Sequence, residues 1–411
     1  MNSRYHGRRR QRQRGVNPLL VGLCVALVAV ILLVVNIIAG HNRKPQPDPG
    51  EPSGPVEPVD PTTPDDPANP DTPDNPDTPD NPDTPDNPDT PDNPDTPDDP
   101  VEPDGYERIE INGDQHQYNA VYRIGDTGFE MYTYVPETAQ KYANAVNTAA
   151  DKLQGTAGVY AITVPLSSGI TMPDDLLGTS LFGDQKAAES KVVSMLDSSV
   201  KAVPLYDALM RHRTEYVYYR TDHHWTGLGA YYAYRAFCQT KGITPHELTD
   251  YKTEDYTGFL GEFYSSTESS ELGANPDTVT AYFPIANPPM TVTNQKGITE
   301  TYPSVICNES TAPAAYKYGA YIYGDNPYTV ITNPDVNDES TCVVIKESFG
   351  NAFVPFLVDH YHTVYVLDYR YWGGDLQTFV RENGVEDVVF INNLSAIRNS
   401  YLMGKLQSMV G

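Results

Sequence analysis

The sequence predicts an α/β fold built on a mostly parallel sheet with helices on both faces. Three observations point there. Apolar runs of six to eight residues, such as "VYAITVPL", "TCVVIK", "TVYVLDY" and "DVVFIN", recur along the chain after residue 105. Stretches of helical composition separate them. The runs are apolar throughout rather than alternating, as strands buried on both faces are.

Taken in order, "NAVYRIGDTGFEMYTY" reads as a hairpin around Gly125-Asp126, a turn pair that tolerates the left-handed backbone a tight hairpin needs. "PETAQKYANAVNTAADKLQG" has helical composition and a glycine stop, and reads as a helix. "VYAITVPL" follows as a strand and "DQKAAESKVVSMLDSSV" as a second helix. "YVYYRT" is expected to be a strand that runs directly into the helix "TGLGAYYAYRAFCQTKG", closed by Gly242. Later come "TCVVIK" (strand), "NAFVPFLVD" (helix), "TVYVLDY" (strand), "GDLQTFVREN" (helix) and "DVVFIN" (strand). Residues 251–333, rich in Tyr, Thr, Pro and Asn, interrupt this rhythm. With "TVTAYFPI" and "GAYIYGDNPYTVI" as strands, they read as a β-rich insertion within one domain spanning 106–411.

The first 105 residues have a different composition. A basic tail at 1–18 precedes an apolar run at 19–39, "LLVGLCVALVAVILLVVNIIA". As a helix that run spans the roughly 30 Å hydrocarbon core of a bilayer. The basic flank would stay in the cytoplasm, leaving the rest of the chain outside the cell membrane as the C-terminal part of a single-pass protein. A cleaved signal peptide is the other reading, but this run is long for one and lacks a small-x-small cleavage site. Residues 40–105 form a Pro/Asp-rich linker with "PDTPDN" repeated at a period of six. Proline at every third position prevents helix and ladder hydrogen bonds, and the aspartates repel one another, so a disordered, extended spacer is expected. A calcium-binding repeat is the alternative, without the glycine turns such sites use.

From Tyr106 onward 36 acidic residues face 20 basic ones, a formal charge of −16, the wrong sign for a nucleic-acid partner. Three cysteines lie outside the apolar run (Cys238, Cys307 and Cys342), with no CxxC pair. They allow at most one disulfide, so an ordinary core must hold the domain.

In open α/β sheets ligands bind beyond the carboxyl ends of the strands. Two chemically versatile segments fall there: "DHHW" (222–225) after "YVYYRT", and "KESFGN" (346–351) after "TCVVI". A serine at a strand-to-helix turn has an exposed hydroxyl beside backbone N–H groups, which suits a nucleophile with an oxyanion hole. Asp222 and His224 are two apart, so in a continuing strand both face one side and His223 the other. Asp222 would then orient His224, leaving its far nitrogen for Ser348. Trp225 is placed to wall the site or stack on a sugar. Asn351, Tyr369 and Arg370, near the same strand ends, are taken as further substrate contacts. Each signal has a plainer explanation: Ser348 as a helix N-cap, Asp222 and His224 as a structural hydrogen bond. "DHH" also occurs in manganese phosphoesterases, but these need more strand-end carboxylates than Asp368 provides.

"TDHHWT" followed by a helix, with "ESFGNAF" downstream, resembles the DHHW family. That family is similar to the SGNH-hydrolase-like proteins that O-acetylate alginate and related bacterial polysaccharides. The resemblance implies an SGNH-like (flavodoxin-like) fold, with Asp222 and His224 as acid and base and Ser348 as nucleophile. The serine comes last rather than first, Glu347 stands where many SGNH enzymes have aspartate, and Gly350-Asn351 follow too closely to be separate oxyanion blocks.

The function expected is O-acetyl transfer to, or removal from, a cell-wall or secreted polysaccharide, through Ser348, His224 and Asp222. No metal or diffusible cofactor is implied. Transfer would require acetyl groups from inside the cell, and hence a membrane-bound O-acyltransferase partner. The competing expectation is a non-catalytic wall-glycan-binding module on the same fold.

Overall fold

The computed structural model describes residues 106–411. The basic tail, the apolar run and the repeat linker lie outside the described residues. Among those described, no helix is long and apolar enough to cross a membrane.

The chain opens with β1 (Gln115–Tyr118), β2 (Val121–Ile124) and β3 (Thr127–Glu130), a small antiparallel sheet. The β2–β3 turn is the expected hairpin: Ile124 pairs with Thr127 across Gly125-Asp126, and Gly125 has φ +56°. The helix Pro136–Lys152 leads to β4 (Gly158–Val164). After the helix Gln185–Ser194 comes β5 (Val200–Pro204), which sequence reading passed over. The helix Gly227–Lys241 is capped by Gly242 at φ +80°. The insertion supplies β6 (Lys252–Phe259), β7 (Asp277–Phe283), β8 (Met290–Thr293), β9 (Thr299–Tyr302) and β10 (Tyr328–Thr332). β11 (Thr341–Lys346), β12 (Thr363–Asp368) and β13 (Asp387–Asn393) complete the fold, with helices Gly350–Leu357, Leu376–Glu382 and Ser400–Val410 between and after them.

The main sheet has eight strands in the order β5-β4-β13-β11-β12-β10-β8-β9. The first five are mutually parallel; β10, β8 and β9 continue the sheet antiparallel. Part of the insertion therefore widens the sheet, while β6 and β7 form a separate antiparallel pair. The residues 319–327 expected as strand instead finish a 3-10 helix (Ala314–Ala320) and a loop.

Strand periodicity divides the core in two. Tyr160 and Ile162 of β4, Cys342 and Val344 of β11, and Val389 and Ile391 of β13 face one cluster. There they pack with Tyr234 and Phe237 of Gly227–Lys241 and with Phe353 and Phe356. The alternate residues Ala161, Val343, Ile345, Val388 and Phe390 face the other, with Val146, Val380 and Leu406 from helices on that side. Burial on both faces explains why these strands are apolar throughout. Cys238 and Cys342 are buried and Cys307 is half-buried, all as free thiols.

Candidate functional site

One expected strand does not form. Residues 216–226 make a tight excursion in which Tyr219 N–H donates to the His224 carbonyl (3.2 Å) and Thr226 N–H to the Val217 carbonyl (2.9 Å). A single bridge, Tyr218 to Trp225, is all the pairing the excursion has. Its backbone is satisfied elsewhere. The buried Asp277, first residue of β7, accepts from Thr221 N–H (2.7 Å), Thr221 Oγ1 (2.6 Å) and Arg220 Nε (3.1 Å). The insertion thus holds the "DHHW" loop, and no parallel partner is needed.

Ser348 lies just past the end of β11, before the helix Gly350–Leu357. The loop brings His224 to it. His224 Nε2 is 2.7 Å from Ser348 Oγ, and His224 Nδ1 is 2.5 Å from Asp222 Oδ1. Asp222 Oδ1 also accepts the His224 backbone N–H (2.9 Å), and Oδ2 accepts the Glu262 N–H (2.8 Å). Burial opposes the charge on Asp222, but the neighbouring imidazoles and these donors outweigh it and hold its carboxyl below the ordinary carboxylate range. Gly261 backs this carboxylate so closely that a Cβ there would fall 2.2 Å from Asp222 Oδ2.

His223 is not turned away from the site, as strict alternation implies. Its ring centroid is 3.9 Å from that of His224, and its Nδ1 points towards Glu262 Oε2 (3.3 Å). The excursion's turn replaces the strand geometry on which the expectation rested. Asp222, His223 and His224 offer donor atoms within 4.8 Å of one another, close enough to share a cation. Both His224 nitrogens, however, are already engaged by Asp222 and Ser348.

Two expected substrate contacts are core residues. Trp225 is fully buried, and its Nε1 donates to the Phe349 carbonyl (2.9 Å). It ties the "DHHW" loop to the serine turn and has no face left for a sugar. Tyr369 is also fully buried, in the core on the opposite face of the sheet, where its hydroxyl accepts from Asn392 Nδ2 (2.7 Å). The chain turns after Asp368 and sends this ring inward. Arg370 and Asn351 do line the cavity beside Ser348. Arg370 is fixed by Asp368 (Nε to Oδ1, 2.9 Å) and Asp325 (Nη2 to Oδ1, 2.8 Å). Asp325 also takes Lys346 (3.1 Å) and Asn351 Nδ2 (3.0 Å), and Lys346 reaches Asp368 (2.8 Å), a charge cluster at the end of β11 and β12.

Sequence reading missed Tyr318. This buried ring from the insertion stacks on His224 with centroids 4.1 Å apart at 14°, and its hydroxyl donates to the Ser348 carbonyl (3.1 Å). It lies in a stretch with no periodic signal, so nothing in the sequence marks it. Glu347 is buried, accepting from Phe349 N–H (3.2 Å) and Asn393 N–H (3.0 Å), and burial pushes its carboxyl upward.

A parallel sheet sandwiched by helices, with a serine on the turn that leaves β11, makes this an SGNH-hydrolase-like fold. PatB1 of Bacillus cereus, in a structure with a sulfonyl adduct, shares the fold at 19% identity and a TM-score of 0.57, covering 70% of this chain and 97% of PatB1. The family match is more specific: the chain fits the family described as DHHW protein over residues 86–367 and belongs to it. A DHHW family protein from Eubacterium siraeum is 28% identical, with a TM-score of 0.66 over 74% of this chain and 100% of that one. The O-acetyltransferase domain of Pseudomonas putida AlgJ is similar at 15% identity and a TM-score of 0.40, covering 69% and 96%. No curated protein matches the chain.

Proposed function

We propose that the protein is a serine acyltransferase or esterase that handles O-acetyl groups on an extracytoplasmic polysaccharide. One observation carries this reading: the continuous Asp222–His224–Ser348 chain of hydrogen bonds, 2.5 Å and 2.7 Å long. His224 Nε2 takes the Ser348 proton as Oγ bonds to the acyl carbon, and Asp222 holds the imidazolium that forms. Collapse of the tetrahedral intermediate expels the donor alcohol, which takes the proton back from Nε2. A sugar hydroxyl (transfer) or water (hydrolysis) then gives its proton to His224 and attacks the acyl carbon, and Ser348 Oγ leaves, taking that proton back from Nε2. The Ser348 N–H and the fixed Arg370 guanidinium are the candidate oxyanion donors.

The surrounding organisation follows the sequence. The apolar run at 19–39 is the anchor, residues 40–105 the spacer, and the domain from 106 works outside the cell membrane. A membrane-bound O-acyltransferase would supply acetyl groups in the transferase direction.

The test is p-nitrophenyl acetate turnover. Ser348→Ala and His224→Ala are each expected to remove nearly all activity, and the double variant to be little worse, because the residues act as a unit. A folded protein that forms no acyl-enzyme with any activated ester would instead be a non-catalytic glycan-binding module.

A further inference from the structure

Ser348 stands where two cavities meet. One, of about 390 Å³, lies against the β1–β2 turn and the 393–402 segment; the other, of about 620 Å³, is walled by the insertion. Both reach Ser348, His223, Glu262 and Arg370. A double-displacement transfer brings a donor and then an acceptor to the same serine, and two cavities offer each its own approach.

The larger cavity has a distinctive chemistry: it is lined with hydrogen-bond acceptors. Asn351, 1% exposed, supports that wall from behind, its Nδ2 donating to Asp325. Glu309 is half-buried on the same wall, and its carboxylate makes no hydrogen bond or ion pair among the described residues. Burial raises its pKa, and the Lys317 charge offsets that only in part. Glu262 faces the cavity too, with His223 beside it. The Arg370 guanidinium on this wall is already matched by Asp368 and Asp325.

The rim adds aromatic platforms. Tyr316 is 68% exposed and Tyr323 47% exposed. Tyr323 does not merely dangle there. It sits at φ +60° between Ile322 at φ +47° and Gly324 at φ +75°, a run of left-handed residues that bulky side chains ordinarily avoid. Ile322 is buried, the Tyr302 ring packs against that of Tyr323 with centroids 4.3 Å apart, and Asp325 is tied to Lys346 and Arg370. The loop is over-determined so as to present that ring.

From these observations we infer that the larger cavity is the acceptor subsite, and that it takes a hydroxyl-rich sugar chain without acidic groups. Hydroxyls donate to the Glu309 and Glu262 carboxylates, and pyranose faces lie on Tyr316 and Tyr323. A uronate would bring its own carboxylate against Glu262 and Glu309, an arrangement like-charge repulsion disfavours. The inference rests on the proposed acyl chemistry for the word acceptor, but its binding specificity can be tested without any chemistry.

The experiment is titration calorimetry of the full chain carrying Ser348→Ala with cellotetraose, chitotetraose and tetragalacturonate. At least one uncharged tetramer is expected to bind ten times more tightly than tetragalacturonate. Tyr316→Ala, at an exposed position, should weaken it at least fivefold with unchanged melting temperature, Tyr323→Ala should weaken it by as much, and Glu309→Gln should narrow the discrimination. Equal or tighter binding of tetragalacturonate, no binding of either uncharged tetramer, or indifference to both tyrosines would overturn the assignment. Binding as expected by a wild-type chain that forms no acyl-enzyme would instead overturn the chemistry and leave the subsite standing.

Discussion

Replacing Tyr318 by Phe and by Leu separates the two things its ring does. The phenylalanine keeps the stack on His224 and loses the hydroxyl's bond to the Ser348 carbonyl, which still accepts the Asn351 N–H at 3.1 Å. That is one buried hydrogen bond, about 1 kcal/mol of stability, or roughly 2 °C in a domain of this size. Ester turnover should fall no more than about fivefold by the same arithmetic. Leucine removes the aromatic face lying on the imidazole, which favours the cationic ring formed when His224 takes the serine proton. A loss of about 1–1.5 kcal/mol lowers kcat/KM about tenfold. The assay is p-nitrophenyl acetate hydrolysis beside thermal melts of both variants. Wild-type turnover in Tyr318→Leu, or equal losses in both variants, would refute the reasoning.

Three further outcomes are expected. Gly261→Ala puts a Cβ 2.2 Å from Asp222 Oδ2 and must displace it. Misplacing the group that orients the base should cost about 10² in kcat in the same assay, and wild-type turnover would show that the carboxylate tolerates the shift. Glu189 is buried against the Leu205 and Tyr206 N–H groups, and burial raises its pKa from 4.5 to about 7. The folded state holds this proton more tightly than the unfolded one, so its contribution is full below pH 4.5 and is lost as pH rises towards 7, by about 3 kcal/mol. Glu189→Gln should abolish that slope in urea midpoints between pH 5 and pH 8; an unchanged slope would assign it elsewhere. His223→Ala should lower turnover no more than about tenfold, because Ser348, His224 and Asp222 hydrogen-bond without it, and a chelator should do nothing. Losses as large as those of His224→Ala, with chelator sensitivity, would favour a cation shared by Asp222, His223 and His224.

Much of the framework was legible because strands buried on both faces must be apolar throughout, and β4, β11, β12 and β13 announce themselves that way. Gly242 and the Gly125-Asp126 turn were legible because each needs a left-handed backbone. The convergence of Asp222, His224 and Ser348 followed from residue chemistry at chain turns, although the route to it was misread. "YVYYRT" has strand composition, but Asp277, 56 residues beyond Thr221, satisfies its backbone and makes a sheet partner unnecessary. Trp225 and Tyr369 looked like site residues because they flank polar motifs, whereas their size drew them into the core. Tyr318 and Asp277 act across long sequence separations inside an irregular insertion, where no period or spacing reports a contact.

The central claim is that Ser348 is a nucleophile activated by His224. Its most direct measurement is incubation of the full chain with an aryl sulfonyl fluoride, followed by peptide mass spectrometry. The account predicts one sulfonyl adduct, on Ser348, absent from Ser348→Ala and strongly slowed in His224→Ala. A folded protein that stays unlabelled, or a label that persists elsewhere when Ser348 is replaced, would contradict it.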